Sequence, residues 1–303
     1  MRLIKPSFSI WDQQEGLEGI YKQIERAGRV CYKSEDKITE DSAKDFVDRM
    51  IKLGHGAMLE HGTIYLIIDC SGRLLDVANK YVNNKYSEWT LHPDGVHYCI
   101  TTNYRVLLQN GWLDDLQYLC EPTEYHEKRV TIHFVCDRGV SHEFVRHRVF
   151  SFAQESTRYC NYSKDKFQGV TYIQPPWLDG DISNEDGSKF NDVYTDIYLH
   201  TLTTAENAYL DLLKQWDNKV PDKRFKSGYK NNPWTPQQAR AVLPNSLKTE
   251  LVMTGFASDW EPFFKLRDAG SAHPQARELA HLLHMEFLRR KYLVSLYDEA
   301  NPD

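Results

Sequence analysis

RVTIHFVCDRGVSHEFVRHRVFSFAQESTRY, residues 129–159, is the stretch on which the fold turns. Its first part, RVTIHFV (129–135), alternates apolar and polar side chains, the period-two pattern of a strand with one face turned inward. Gly139 separates that strand from a helical pattern carrying His142, Glu143 and Arg146. The last part, RHRVFSFAQESTRY (146–159), gathers Arg146, His147, Arg148 and Arg158 around a polar turn of Gln154, Glu155, Ser156 and Thr157. Like charges this close repel, so such a segment needs carboxylates, phosphates or solvent around it. The planar fork of arginine suits phosphate better than a lysine does. Charge alone leaves both a solvated basic turn and an anion site open. Val149, Phe150, Phe152 and Tyr159 argue for partial burial, where unpaired charge is costly.

Toward the N-terminus, GLEGIYKQIERAGRVCY (16–32) has helical periodicity, and a second helix is expected around Ser42 to Leu53, with Ser42 as N-cap and Gly54 as stop. The segment GHGAMLEH (55–61 with its leading Gly54) reads as a turn, followed by the strand TIYLIID (63–69). Residues 73–126 mix helical pieces with a strand-like VHYCITT. Turn formers and acids in QPPWLDGDISNEDGSKFND, together with KNNPWTP, suggest loops bracketing the helical pattern YTDIYLHTLTTAENAYLDLLKQW. TELVMTGFAS is apolar, and a terminal helix is expected from Pro274 to about Tyr297, with Pro274 in its first turn. Strands and helices mix without strict βαβ alternation, which favours a compact α/β or α+β domain over a doubly wound sheet.

With 303 residues the chain can bury a substantial core. A hydrophobic content of 41% and a charged content of 26% are ordinary for a globular protein, while 13% aromatics suits stacking on planar ligands. A net charge of -6 argues against non-specific nucleic-acid binding, so phosphate recognition must be local. Cys31, Cys70, Cys99, Cys120, Cys136 and Cys160 form no CxxC pair and read as reduced, mostly buried thiols. The N-terminal residues lack a continuous apolar run and IYLII (64–68) is too short to span a bilayer, so the expectation is a cytoplasmic protein without a membrane partner.

Four clusters carry candidate chemistry: 146–158; His55, Glu60 and His61; Arg240 with Arg267; and Glu278, His281 and His284 on the terminal helix. The histidine spacings match no strong zinc signature, and no metal is expected. His55 and His61 read more simply as core or helix-terminus histidines. Ser156 lies near His147 and Glu155, yet no G-x-S-x-G elbow surrounds it. Neither G-x-G-x-x-G nor a P-loop occurs, so any nucleotide cofactor must be held by other means.

RHR (146–148), followed by Ser156 and then Arg158-Tyr159, resembles the signature of the flavin-dependent thymidylate synthases. GHGAMLEH is similar to that family's upstream block, and ARAVLP with LRDAGSAHPQAR resembles its downstream regions. The resemblance implies a single domain over 1–303: a central, mostly antiparallel sheet flanked by helices, with helical and loop insertions at about 72–127 and 165–230. It also implies an FAD-dependent methyltransferase that converts dUMP to dTMP, with 5,10-methylenetetrahydrofolate as carbon donor and NADPH as reductant. A homotetramer with active sites between subunits is implied as well.

Position by position, the family pattern assigns Ala57, Arg146, His147, Arg148, Gln154, Phe256, Ala257, Ser258 and Pro262 to FAD. It assigns Glu143, Arg146, Gln154, Glu155, Ser156, Thr157, Arg158, Arg240 and Arg267 to dUMP, with Arg267 as the catalytic group. A guanidinium beside a pyrimidine that is developing negative charge acts as an electrostatic activator. Departures from the pattern fall at Ala57, Glu143, Ala153, Gln154, Glu155, Phe256 and Pro262. A nucleotide- or RNA-binding protein of the same fold without catalysis is the alternative.

Overall fold

The computed structural model describes residues 1–69, 74–178, 193–214 and 233–293. Its strands are β1 (Arg2–Ile4), β2 (Ser7–Trp11), β3 (Thr63–Asp69), β4 (Glu88–Leu91), β5 (His97–Asn103), β6 (Arg129–Asp137), β7 (Ser151–Gln154), β8 (Thr171–Ile173) and β9 (Lys248–Phe256). Its helices are α1 (Gly16–Tyr32), α2 (Ser42–Lys52), α3 (Gly56–Leu59), α4 (Leu74–Val82), α5 (Tyr104–Asn110), α6 (Arg138–Phe144), α7 (Val193–Leu213), α8 (Pro236–Ala239), α9 (Ala257–Arg267) and α10 (Pro274–Arg289). The central sheet runs β2-β6-β9-β7, antiparallel throughout. A second antiparallel sheet runs β3-β5-β4, and β1 pairs with β8 in parallel. The mixed α/β class and the antiparallel sheet flanked by helices are therefore as the sequence indicated.

Strand β6 owes its place at the centre to its alternation: Val130, Ile132, Phe134 and Cys136 are all buried in one cluster with Leu251 and Met253 of β9. Against that face pack α6, α9 and α10, through Phe144, Trp260, Phe263, Phe264, Leu279, Leu283 and Phe287. On the opposite face Ala153, Val252, Ala27 and Val30 join β7, β9 and α1. A separate cluster joins α1, α2 and α4 to β3 and β5. The stretch around 72–127, read as an insertion, thus contributes β4 and β5 to a sheet with β3, the second of them on the strand-like VHYCITT.

Several element boundaries differ from the sequence reading. Gly139 does not separate strand from helix; α6 begins at Arg138, with the Asp137 side chain accepting from Val140 N at 2.8 Å as its N-cap. A Cβ at 139 would stand 2.9 Å from the capping Asp137 Oδ1, so glycine there leaves the cap undisturbed. The helix stops at Phe144, so Arg146 lies on the turn beyond it. Ser42 is the first residue of α2 and Asp41 the cap position; the Ser42 hydroxyl instead donates to Glu25 Oε2 at 2.8 Å. GHGAMLEH contains the short helix α3 rather than a plain turn, with His55 at its cap position and His61 fully buried.

Pro274 does open α10, but that helix ends at Arg289, where Lys291 turns left-handed with φ 56°. Tyr297 lies outside the described residues, as do Cys70 and most of the turn-rich stretch preceding α7. Cys99, Cys136 and Cys160 are buried free thiols, and Cys31 and Cys120 are half-buried free thiols. Among the described residues no helix is long and apolar enough to cross a membrane.

Candidate functional site

The path from β6 through α6 to β7 folds the arginine-rich segment back along the central sheet. Phe150 anchors it, buried against Trp260 at 4.5 Å between ring centroids. Gly255 of β9 makes room for that anchor, since a Cβ there would meet the Phe150 ring at 2.4 Å. With Phe150 pinned inward, Arg146, Arg148 and Val149 are left exposed on the turn. Neither arginine pairs with a carboxylate among the described residues.

Arg267, the last residue of α9, reaches this turn and is held on three sides. Its Nε donates to His147 Nε2 at 3.0 Å, its Nη2 donates to the Glu143 carbonyl at 2.8 Å, and its Nη1 pairs with the Glu143 carboxylate. Burial, followed by the adjacent Arg267 charge, pushes the pKa of His147 down to about 4. A guanidinium only donates, so His147 accepts through Nε2 and carries its proton on Nδ1. Helix α10 braces the end of α9: His281 and His284 donate to the two oxygens of Asp268 at 3.0 and 2.9 Å. The terminal-helix histidines thus meet a carboxylate, and no group of three or more His, Cys, Asp or Glu among the described residues could hold a metal.

Gln154 closes β7, with its amide donating to Ser141 Oγ at 2.9 Å and, more weakly, to Thr249 Oγ1 at 3.3 Å. This ties β7 to the helix that carries Glu143. Beyond Gln154 burial alternates: Glu155 and Thr157 turn inward, Ser156 is half-buried, and Arg158 is exposed. Thr157 Oγ1 accepts from Arg240 Nη1 at 2.9 Å, which brings the downstream arginine to the same turn. The Arg158 guanidinium lies 5.6 Å from the Tyr159 ring and has no carboxylate partner among the described residues. Glu155, expected at the nucleotide, is a residue only 2% exposed, and its carboxylate accepts from Tyr162 Oη at 2.9 Å and Lys248 Nζ at 2.8 Å.

The expected cofactor residues divide into two places. Arg146, His147, Arg148 and Gln154 lie with the nucleotide candidates. Phe256, Ala257 and Ser258 lie at the opposite end of α9 from Arg267, roughly 16 Å along the helix axis. Their N–H groups are already used: Phe256 N donates to Asp259 Oδ2, Ala257 N to the Lys128 carbonyl and Ser258 N to Glu127 Oε1. What this end still offers is the exposed Ser258, with the exposed Pro262 halfway along α9 and Ala57 exposed on α3.

Sequence reasoning missed two arginines that join α3 to this second place. Arg129 Nη1 donates to the Glu60 carbonyl at 2.9 Å while its guanidinium sits 5.5 Å from the Phe256 ring, and burial pushes its pKa down to about 10. Arg105, from the stretch read as an insertion, pairs with the Glu60 carboxylate. Nothing in the local pattern marks them, since each meets Glu60 only through tertiary folding. His61 is also placed here, with Nδ1 2.8 Å from Thr254 Oγ1 and its pKa lowered by burial to about 3.

Taken together, the turns on either side of β7 carry the arginines: exposed Arg146 and Arg148 with the latched Arg267 at the first, exposed Arg158 with Arg240 on Thr157 at the second. Residues 122–290 match the family described as thymidylate synthase complementing protein. The chain is 23% identical over 288 residues to a flavin-dependent thymidylate synthase of Corynebacterium diphtheriae, spanning 94% of this chain and 81% of that protein. A flavin-dependent thymidylate synthase of Corynebacterium aurimucosum is 24% identical over 272 residues, 89% of this chain and 76% of its own length. One from Mycobacterium avium is 31% identical over 153 residues, half of this chain and 53% of its own. A family match across more than half of the chain, in line with the motifs and the fold, means that the chain belongs to the flavin-dependent thymidylate synthase family.

Proposed function

We propose that the protein is a flavin-dependent thymidylate synthase, a transferase that methylates dUMP reductively to dTMP. The observation that supports this most is the arginine set on the two turns that flank β7: Arg146, Arg148 and Arg158, without a carboxylate partner among the described residues, Arg240 on Thr157, and Arg267 latched to Glu143. Exposed Arg158 and half-buried Ser156 grip the nucleotide phosphate, and Arg240, oriented by Thr157, closes on it from the other side. Two guanidiniums fit a phosphate because each offers parallel donors.

Arg267 exchanges its Glu143 carboxylate for the uracil edge, where its charge stabilises the pyrimidine as it becomes anionic. His147, kept neutral by burial, shares that guanidinium without adding a competing charge. Arg146 and Arg148, exposed and without a carboxylate partner among the described residues, fit an anionic dinucleotide, and we assign FAD to them together with Gln154, Ala57, Ser258 and Pro262. When bound, flavin supplies the hydride chemistry that no side chain offers. NADPH as reductant and 5,10-methylenetetrahydrofolate as carbon donor complete the reaction.

The Phe256 end of α9 and its Arg267 end stand roughly 16 Å apart along the helix axis. We propose a homotetramer with active sites between subunits, in which Ala57, Phe256, Ala257, Ser258 and Pro262 of one subunit face the RHR turn of another. Purification tests the flavin assignment: the protein should emerge yellow, with a flavin absorption spectrum. A colourless protein that takes up no added FAD would refute it.

A further inference from the structure

We propose that Glu155 is a positioning residue for the nucleotide phosphate, acting through the turn that bears Ser156 and Arg158 rather than by touching the ligand. The inference rests on the reading above and deepens it.

Three anchors fix Glu155. Its N–H donates to the Glu250 carbonyl at 2.8 Å, its Oε1 accepts from Tyr162 Oη at 2.9 Å, and its Oε2 accepts from Lys248 Nζ at 2.8 Å. The network behind these anchors is wide. Lys248 also pairs with Glu250, which in turn takes Lys33 at 2.8 Å and His133 at 2.9 Å. Lys33 caps the end of α1, and the same end of α1 receives Ser156 N at the Cys31 carbonyl, at 3.0 Å. The turn is therefore clamped at Glu155 to β9 by backbone and side chain, and at Ser156 to α1 by backbone.

The alternation beyond β7 gives this clamp its use. Because Glu155 and Thr157 are buried, Ser156 and Arg158 are directed toward the solvent side. Within the turn, Arg158 N donates to Ser156 Oγ at 3.3 Å, and Tyr159 N and Cys160 N both donate to the Ser156 carbonyl, at 3.1 and 2.9 Å. An arginine on a loose turn would have to be ordered at the moment of binding, and that ordering subtracts from affinity. Holding the turn from beneath removes the cost without adding a ligand contact. Glu155 is suited to this because its charge meets a fixed cation and a hydroxyl donor inside the protein, so the carboxylate does not repel the phosphate from the surface.

Glu155→Gln isolates the role, since glutamine keeps the size and the acceptor for Tyr162, while Lys248 keeps Glu250 as its partner. Calorimetric titration of the flavin-loaded enzyme with dUMP and with deoxyuridine reads the effect. The dUMP Kd should rise about tenfold, the scale of one hydrogen bond to a charged group, while the deoxyuridine Kd stays within about twofold. Flavin content should match the wild type. An unchanged dUMP Kd, or an equal loss for both ligands, overturns the proposal. Tyr162→Phe, which removes one donor only, should raise the dUMP Kd about threefold, and decides the matter if the glutamine variant does not fold. Wild-type protein that binds neither flavin nor dUMP would overturn the functional reading itself, and the positioning role with it.

Discussion

Arg267 Nε donates to His147 Nε2 at 3.0 Å, and this contact joins the end of α9 to the RHR turn. An arginine that completes its bonding within the chain is oriented before a ligand arrives. Exchange of the Glu143 carboxylate for a ligand then needs little movement of the guanidinium, because His147 and the Glu143 carbonyl continue to hold it.

Replacing Arg267 with alanine should lower kcat by about a hundredfold or more, the scale of losing one preorganised group that stabilises developing charge. Arg267→Lys should recover little, since a lysine cannot donate to His147 and Glu143 in the same fork. Steady-state rates at saturating dUMP check both, and near wild-type turnover for the alanine variant would remove the role given to this residue.

His147 and His61 both have pKa values depressed by burial, to about 4 and about 3. Between those values and the ordinary histidine pKa of about 6.5, the unfolded chain binds more protons than the folded one, so stability must fall as pH drops through that window. Melting temperatures measured from pH 7 down to pH 4 should decline, with a shallower decline for His147→Gln. Imidazole NMR signals of His147 should remain those of the neutral ring at pH 5.5; a midpoint near 6.5 would contradict the account.

Trp260 is fully buried among Phe150, Phe263, Phe264 and Phe287, and its indole N–H has no partner among the described residues. Trp260→Ala should cost about 3–5 kcal/mol through the cavity it leaves. Trp260→Phe should cost much less than that, because it also removes an unsatisfied buried donor. Chemical denaturation of both variants measures the difference.

Arg240→Ala removes the partner of Thr157 and one side of the phosphate grip. The dUMP Kd should rise roughly tenfold to a hundredfold, as expected for a charge-assisted bond, with deoxyuridine binding little changed. Titration calorimetry on the flavin-loaded protein provides the test, and a loss shared equally by both ligands would contradict the assignment.

Much of this was legible where local pattern governs. β3 coincides with the run 63–69, α1 with 16–32, and the alternation of 129–135 marks the central strand because burial on one face is a period-two property. The limits of α6 and α10 were less legible, since caps depend on where Asp137 and Lys291 point rather than on periodicity. Glu155 illustrates a deeper limit. In the sequence it stands among ligand candidates, and it turns inward where Lys248 arrives from a distant strand and Tyr162 folds back from seven residues on. Arg105 and Arg129 were missed for the same reason, their meeting at Glu60 being tertiary.

The central claim is that this site activates the uracil ring of dUMP for methylation, and release of tritium from C5-tritiated dUMP measures that event directly. Flavin-loaded protein supplied with NADPH and 5,10-methylenetetrahydrofolate should release tritium, and the Arg267→Ala variant should release it at least about a hundredfold more slowly. A flavin-loaded, folded wild-type protein that releases none would contradict the account.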